Sequence, residues 1–595
     1  MYILGISCFY HDAAAALIKD GMLIAAAEEE RFSRVKHDSG FPEQAIRFCL
    51  ETAGIESRAL DFVVFYEKPF RKFERLLTSI IRTYPRSCEV FVRGMKNWLL
   101  EKLWVKNIIR EKLSVAPDTI LFAEHHLAHA ASAFFVSPFR HAALLTIDGV
   151  GEWDTGTLGY GDETSLCLTH RLHFPHSLGL LYSAFTAFLG FEVNEGEYKV
   201  MGMAAYGTPC YADRIHDTML TLASDGSFRL NLDYFTFHHS ARQSFNKKFA
   251  QLFGPPRLPD EDFFTNQFDY PAYFGDKPAN YAELCQCNQH YADIAASIQQ
   301  VAEDIILCQA RYLHGLTGSP NLCIAGGVGL NSAANGRLLR EGPFKDIFIQ
   351  PAAGDSGGAL GAALYVYHSI LGNPRTFVME HASWGKAYHS EQIRDFLTHR
   401  RIPFREFSDE SALLDAAVER LCRGKVLGWF QGRFEWGPRA LGNRSILADP
   451  RDPRMKDIVN TKIKFREPFR PFAPVILEER LADFFDYAGQ AAAQYPSRFM
   501  LFVLPVRPDK RRLIPAVDHQ GTGRVQTIRE EWNGRYYRLV KRFGEKTGVP
   551  VLLNTSFNLR GEPIVNTPEN AYTTFMNSGL DALVLENFLI EKDSI

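Results

Sequence analysis

Two histidines four residues apart, His125 and His129, have the spacing in this chain best suited to joint chemistry. They lie in Glu124-His-His-Leu-Ala-His-Ala-Ala-Ser-Ala-Phe-Phe135. The alanine-rich segment favours a helix. A spacing of four then sets both imidazoles on one helix face, where they can share a cation. The metalloprotease pattern H-E-x-x-H needs Glu after the first His; His126 stands there, so protease chemistry is excluded. Asp148 closes the apolar run Leu144-Leu-Thr-Ile-Asp-Gly149, a strand end that suits a third ligand. Asp355, in Ala353-Gly-Asp-Ser-Gly-Gly358, opens a small-residue helix and is either a fourth ligand or an N-cap. Two imidazoles and two carboxylates suit iron(II), manganese or zinc more than calcium.

Three glycine-rich turns sit where strands meet helices: Asp148-Gly-Val-Gly-Glu152, Ala325-Gly-Gly-Val-Gly-Leu-Asn331 and Gly354-Asp-Ser-Gly-Gly358. Such turns let backbone N–H groups approach phosphate oxygens at a helix N-terminus. None matches the P-loop or G-x-G-x-x-G patterns, and tight packing is the alternative use of the glycines. Lys199, in Glu195-Gly-Glu-Tyr-Lys-Val-Met-Gly202, is a candidate phosphate contact or an exposed lysine.

A second chemical region lies between Arg433 and Arg470, with ten Lys or Arg against five Asp or Glu. Guanidinium groups capture phosphate or carboxylate through paired hydrogen bonds. Trp429, Phe430, Phe434 and Trp436 are interleaved, which also fits base stacking on a single strand. Gly, Pro and Trp break any regular solvated face. A small dianion explains several converging arginines more economically than RNA does.

The elements that must position these residues are legible in outline. With 595 residues the chain exceeds one core. Tyr2–Ser7, Ala13–Lys19 and Met22–Ala27 read as strands, the last two joined by the hairpin signal Asp20-Gly21. Residues 142–148, 156–160 and 165–171 echo this pattern, which suggests a duplicated α/β fold of the actin/hexokinase type. Residues 208–280 read as an irregular insertion rich in Phe, Pro and Asp. Helical periodicity returns from Tyr291 to Leu316, and a boundary falls near 375–390, before a helix over 391–400. A net charge of −3 argues against a dedicated nucleic-acid binder. The ten scattered cysteines contain no C-x-x-C pair and fit a reducing, cytoplasmic setting. The N-terminus reads as a strand, not a signal peptide, and no apolar run has membrane-spanning length. Oligomeric state and the acceptor pocket leave no readable signature.

Along nearly its whole length the chain resembles the O-carbamoyltransferases of antibiotic, toxin and nodulation-factor biosynthesis. The motifs are Cys8-Phe-Tyr-His-Asp-Ala-Ala-Ala15, Glu29-Glu-Arg-Phe-Ser-Arg-Val-Lys36, His125-His-Leu-Ala-His129, Asp148-Gly-Val-Gly-Glu152 and Glu197-Tyr-Lys-Val-Met-Gly202. Gly437-Pro-Arg-Ala-Leu-Gly-Asn-Arg-Ser445 and Asn554-Thr-Ser-Phe-Asn558 complete the set. The resemblance implies an actin-type domain over 1–378, shared with tRNA threonylcarbamoyl-adenosine transferases. It implies a YrdC-like α+β domain over 379–595. The metal, usually iron in that family, is then held by His125, His129, Asp148 and Asp355. ATP, with Mg, lies against Gly149, Gly151, Glu152, Lys199, Gly326, Gly327 and Asn331. Lys464-Phe-Arg466 resembles the Lys-x-Arg element of YrdC domains. Thr555-Ser-Phe-Asn558 resembles their Thr-Ser-Ala-Asn element, with Phe557 in place of Ala. Arg444, Lys464, Arg466, Arg524, Asn554, Ser556 and Asn558 are thus the candidates for carbamoyl phosphate. His11 and Lys36 match positions near the acceptor and transfer site.

The chemistry implied has two steps. Carbamoyl phosphate loses phosphate, and the carbamate attacks the α-phosphate of ATP to give carbamoyl-adenylate and pyrophosphate. A hydroxyl of a small-molecule natural product then takes the carbamoyl group. His11 has the range for the base that step needs, or it forms a structural hydrogen bond beside Asp12. Nucleic acid and membrane are not expected partners. The rival readings are a tRNA threonylcarbamoyl-adenosine-type transferase and a non-catalytic actin-like nucleotide scaffold. The scaffold gives no reason for the His pair or the arginine cluster.

Overall fold

The computed structural model describes residues 1–100, 102–267, 270, 275–486 and 494–592. Two compact units emerge. The first is built from Met1–Glu29, Ser39–Phe268 and Pro278–Val378; the second holds Met379–Ile595 together with Glu30–Asp38. An uninterrupted first domain over 1–378 therefore needs correction at Glu30–Asp38. The reason is hydrogen bonding: Arg31 donates to the Gly437 carbonyl at 2.7 Å, and Arg34 to those of Ile564 and Pro563 at 2.7 and 2.8 Å.

In the first unit, five strands run in the order Met22–Glu28, Ala14–Lys19, Tyr2–Ser7, Phe62–Phe65, Ile120–Phe122. The first three are antiparallel and the last two parallel to the centre. A second sheet repeats the plan: Ser165–His173, Asp154–Asp162, His141–Ile147, Asn321–Ala325, Asp346–Ile349, with the same senses. Two sheets of identical order within one unit are the duplication expected of an actin/hexokinase-type fold. The central strands are buried almost throughout because both faces are covered.

Helix Asp355–Tyr365 packs on Tyr2–Ser7 and Ala14–Lys19, while helix His125–Phe134 packs on the second sheet. The two helices cross closely. A Cβ on Gly361 would overlap the Ala128 carbonyl, and one on Gly5 would overlap that of Ala359. Glycine here is required by backbone approach rather than by flexibility. This crossing carries three of the four candidate ligands.

Residues 208–267 are more ordered than an irregular insertion. Helices Ala212–Met219 and Lys247–Phe253 and the hairpin Leu220–Leu222/Phe228–Leu230 occupy them. The phenylalanines explain the order: Phe249 and Phe253 meet Phe185 edge-to-face, with ring centroids 4.9 and 5.5 Å away, burying aromatic area. The remainder of the expected insertion includes 268–269 and 271–274, which lie outside the described residues. The helix expected over 291–316 extends over Tyr281–Thr317 and ends at left-handed Gly318.

The second unit is a mixed nine-stranded sheet. Its order is Arg405–Glu406, Phe588–Glu591, Ala582–Leu585, Leu427–Phe430, Arg444–Ala448, Val551–Ser556, Ala473–Leu477, Thr522–Ile528, Phe502–Pro505. Helices Glu410–Cys422 and Glu530–Thr547 cover one face through Leu414, Leu421, Leu539 and Phe543 against Trp429 and Leu447. The helix expected over 391–400 is present as Ser390–His399.

Candidate functional site

Helix His125–Phe134 begins without a side-chain cap of its own. Its first N–H is taken instead by the Glu152 carboxylate, at 3.1 and 3.2 Å, which also accepts the Lys68 N–H at 2.8 Å. This anchoring brings His125 Nε2 within 3.0 Å of His129 Nε2. Asp148, one residue past its strand, puts Oδ2 at 3.1 Å from His125 Nε2 and 3.8 Å from His129 Nε2. Asp355, at the start of its helix, puts Oδ1 at 3.7 Å from both. The four ligand atoms lie within 4.8 Å of one another. Both histidines and Asp355 are no more than 1% exposed.

These residues fit a divalent cation. Asp355 Oδ1 is buried with no hydrogen-bond partner, and so are His125 Nδ1 and His129 Nδ1. A buried carboxylate oxygen left unsatisfied opposite two converging imidazole nitrogens is costly unless a cation lies among them. Burial alone would lower the His129 imidazole, but the nearby carboxylates of Asp148 and Asp355 raise it to about 9. Burial would raise Asp148, yet its bonds to His125 and His129 hold it well below the usual carboxylate range. His126 is the exception among the three histidines. Burial, then its two neighbours, push it far down, and it is fixed by Thr146 Oγ1 at 2.7 Å and the Asp154 carbonyl at 3.0 Å. It is a neutral structural residue.

A supporting layer stands behind the ligands. The Tyr66 hydroxyl donates to Asp355 Oδ2 at 3.1 Å. Glu67 Oε2 lies 4.0 Å from His125 Nδ1 and pairs with Lys72 Nζ at 2.7 Å, both side chains 6% exposed. Three consecutive residues after the strand Phe62–Phe65 thus reach the site: Tyr66 to Asp355, Glu67 to His125, and the Lys68 N–H to Glu152. The sequence reading missed them. The available signal was a Tyr-Glu pair placed directly after a fully apolar parallel strand.

The glycine turns close around the same point. Gly327 N–H donates to Asp148 Oδ1 at 3.0 Å. Gly326 has φ +92°, and a Cβ there would overlap the Ile147 carbonyl. A Cβ on Gly151 would fall 2.7 Å from the His125 ring, and the Ser177 hydroxyl donates to the Gly149 carbonyl at 2.6 Å. Two of the residues implied for ATP also have structural partners. Glu152 caps the histidine helix, as above. Asn331 Oδ1 accepts the Ala334 N–H at 3.1 Å, capping helix Ser332–Glu341. Lys199 Nζ lies 5.5 Å from the Phe191 ring. His11 Nδ1 is 3.0 Å from Asp12 Oδ2. Burial lowers His11, but Asp355, the Asp12 bond and Asp148 outweigh this and raise it to about 9.

The second unit holds a separate polar centre. Lys464 ends a short helical turn and is followed by Phe465 in the left-handed region, φ 48°. Its Nζ donates to the Ser556 carbonyl at 2.7 Å, the Asn558 carbonyl at 2.9 Å and Asn558 Oδ1 at 2.7 Å. Burial, then the charges of Arg466, Arg470 and Lys36, push this amine well below its ordinary value. Lys36 lies in the second unit, whereas His11 belongs to the first. Arg466 is braced by Asn460 Oδ1 at 2.7 Å and lies 4.5 Å above Phe472. Asn554 Nδ2 binds Gln526 Oε1 at 2.7 Å, and Arg524 stands on the strand opposite Val503. Arg444 departs from its expected role. It is fully buried, stacks 3.6 Å above Phe430, and gives its Nη atoms to the carbonyls of Gln431, Asn443, Lys386 and Gly432. Those donors hold the loop, so Arg444 is not an open anion ligand.

A sequence model of the carbamoyltransferase N-terminus matches residues 2–364, and one of the carbamoyltransferase C-terminus matches residues 418–592. The chain belongs to the carbamoyltransferase family. This carbamoyltransferase is 47% identical to an uncharacterized protein of Synechocystis sp., over 99% of its own length and 97% of that protein's. It is 36% identical to nodulation protein NolNO of Sinorhizobium fredii, over 98% of this chain and 79% of the relative. Among solved structures, component A of (R)-2-hydroxyglutaryl-CoA dehydratase from Acidaminococcus fermentans aligns with TM-score 0.33 at 17% identity, covering 62% of this chain and 99% of that one. The duplicated sheet order of the carbamoyltransferase therefore rests on its own strand register. Among the described residues no helix is long and apolar enough to cross a membrane.

Proposed function

We propose that this carbamoyltransferase activates carbamoyl phosphate with ATP and delivers the carbamoyl group to a hydroxyl of a small-molecule natural product. One observation supports the reading: a single chain contains a buried His/Asp set suited to a cation and, in its other unit, a buried lysine cluster suited to an anion. Glycine turns wrap the first, and Lys464 centres the second. The second unit is read as YrdC-like, with Lys464, Arg466, Ser556 and Asn558 orienting carbamoyl phosphate. Water displaces phosphate there and leaves carbamate.

In the first unit His125, His129, Asp148 and Asp355 would hold a divalent cation, iron(II) in our reading, which neutralises phosphate charge on ATP. The N–H groups of the turns at Gly149–Gly151 and Gly326–Gly327 are suited to phosphate oxygens. A carbamate oxygen attacks the α-phosphorus, the bond to the β-phosphate oxygen breaks, and pyrophosphate leaves. The acceptor oxygen then attacks the carbamoyl carbon and AMP departs. His11 Nε2 is suited to take the acceptor proton, with Asp12 fixing the ring through Nδ1.

The test is pyrophosphate release by metal-loaded protein given ATP, with and without carbamoyl phosphate. Release that requires carbamoyl phosphate supports the reading. Equal release in both, or none in either, overturns it.

A further inference from the structure

Arg75 is a partly buried cation of the first unit that neither the His/Asp set nor its supporting layer uses. It lies on helix Pro69–Thr83, three residues after Lys72, so the two share a helix face. Lys72 pairs with Glu67 beside His125, which turns that face toward the His/Asp set. Arg75 Nη1 donates to the Gly151 carbonyl at 3.1 Å, and Gly151 packs directly on the His125 ring. The Phe174 ring lies 5.1 Å from the guanidinium carbon. A carbonyl and an aromatic ring therefore hold the guanidinium at the turn that begins with Asp148.

Its charge is unmatched. Among the described residues no carboxylate is paired with Arg75, although neighbouring cations have theirs. Lys72 meets Glu67 at 2.7 Å, Arg71 meets Glu124 at 3.1 Å and Arg171 meets Asp154 at 2.6 Å. Glu67 and Glu152 act on Arg75 only at longer range. Both are engaged already, Glu67 by Lys72 and Glu152 by the N–H groups of Lys68 and His125. Burial pushes Arg75 below its ordinary value, and Tyr10, Glu67 and Glu152 recover only part of that. A guanidinium is rich in N–H donors, and among the described residues the Gly151 carbonyl alone takes one. A cation drawn out of water with donors to spare is costly unless an anion joins it. The planar fork of donors matches phosphate oxygens in particular.

The adjoining His/Asp set fits a divalent cation, which neutralises only part of the charge on a nucleoside triphosphate. Charge that builds on a leaving phosphate chain is met by cations already in place, arginine among them. We infer that Arg75 binds the phosphates of ATP that leave as pyrophosphate. The inference rests on the ATP-dependent reading above and adds to it the side chain that receives the leaving group.

The test is calorimetric binding of AMP, and of α,β-methylene-ATP with magnesium, to the zinc-loaded full chain. The methylene bridge blocks the reaction, so affinity alone is read. The analogue should bind the wild type more tightly than AMP does. In Arg75→Met the analogue should bind about 10- to 100-fold more weakly, as for loss of a hydrogen bond to a charged group, while AMP stays within about twofold. Arg75→Lys keeps the charge without the fork and should recover part of the loss. Should Arg75→Met not fold, the selective loss is read on Arg75→Lys instead. Analogue affinity unchanged in the variants, or AMP lost in equal measure, overturns the inference and leaves the ATP reading standing. A wild type that binds neither nucleotide overturns both.

Discussion

His125 and His129 face each other through Nε2 atoms 3.0 Å apart, with Asp148 Oδ2 3.1 Å from the first. Two buried imidazole nitrogens and a carboxylate oxygen at that separation form a donor set, and Asp355 completes it. Replacing His129 with Ala removes one ligand and leaves Asp355 and Asp148 as adjacent buried carboxylates. The variant is expected to lose bound metal and ATP-dependent turnover while keeping its far-ultraviolet circular dichroism. Elemental analysis of the purified protein measures the loss. Metal retained at the wild-type level would remove His129 from the ligand set.

The layer behind the ligands makes a sharper prediction. Tyr66→Phe deletes only the hydroxyl on Asp355 Oδ2, and Glu67→Gln only the charge 4.0 Å from His125 Nδ1. Such supporting groups commonly contribute 10- to 100-fold in metal affinity, so each variant should weaken affinity by about that factor. Competition titration with a chelator reads this directly. Glu67→Gln also leaves Lys72 as a buried unpaired cation, so its melting temperature should fall more than that of Tyr66→Phe.

His11 should titrate differently with and without metal. In the metal-free protein burial lowers it, and Asp355, Asp12 and Asp148 together raise it to about 9. The sign follows from linkage. A folded value above the ordinary 6.5 means that charged His11 stabilises the fold fully below about pH 6.5. That contribution is lost as pH rises through about 9. A cation on Asp148 and Asp355 cancels their pull, so zinc should move the His11 midpoint toward neutrality. Histidine NMR titrations with and without zinc test this; an unchanged midpoint would contradict it. A histidine takes a proton only when neutral, so in the proposed mechanism the metal-loaded state is the one in which His11 would serve.

Close helix crossing makes Gly361 sensitive. A methyl group there must displace the Ala128 carbonyl, in the helix that carries both histidines. Gly361→Ala should destabilise by about 1–3 kcal/mol, the usual range for overpacking. It should also weaken metal binding, because the Asp355 helix shifts against the His125 helix. Denaturant unfolding with and without metal separates the two effects.

Lys464 is expected to matter to the donor and not to ATP. Lys464→Met removes the amine that ties Ser556 and Asn558 together. Hydrolysis of carbamoyl phosphate without ATP should fall by at least about 100-fold, as for loss of a charged group that meets the substrate. Affinity for an ATP analogue should be unchanged. Arg444→Lys should instead lower stability, because four backbone carbonyls lose their donor.

Local patterns made part of this readable. The spacing of His125 and His129, the apolar run ending at Asp148 and the two strand–hairpin echoes are all short-range signals, and the structure follows them. Roles that depend on distant partners were not readable. Glu152 follows a glycine turn, and nothing local shows that it also caps a helix that begins 27 residues earlier. Asn331, expected beside the nucleotide, also serves as an N-cap. Arg444 shared the pattern of a ligand-binding arginine, and only its carbonyl partners reveal a brace. Tyr66 and Glu67 lie 59 and 58 residues before His125, and no periodicity connects them. Arg31 and Arg34 bond to residues more than 400 positions away, which no local pattern could assign to the second unit.

The central claim is that the carbamoyl group passes through an adenylate. Mass spectrometry of metal-loaded protein incubated with ATP and carbon-13-labelled carbamoyl phosphate, without acceptor, tests it most directly. The account predicts a labelled carbamoyl-adenylate whose formation is lost in Lys464→Met and His129→Ala. Carbamoylation of an added hydroxyl compound in the absence of ATP, with no adenylate detected when ATP is present, would contradict it.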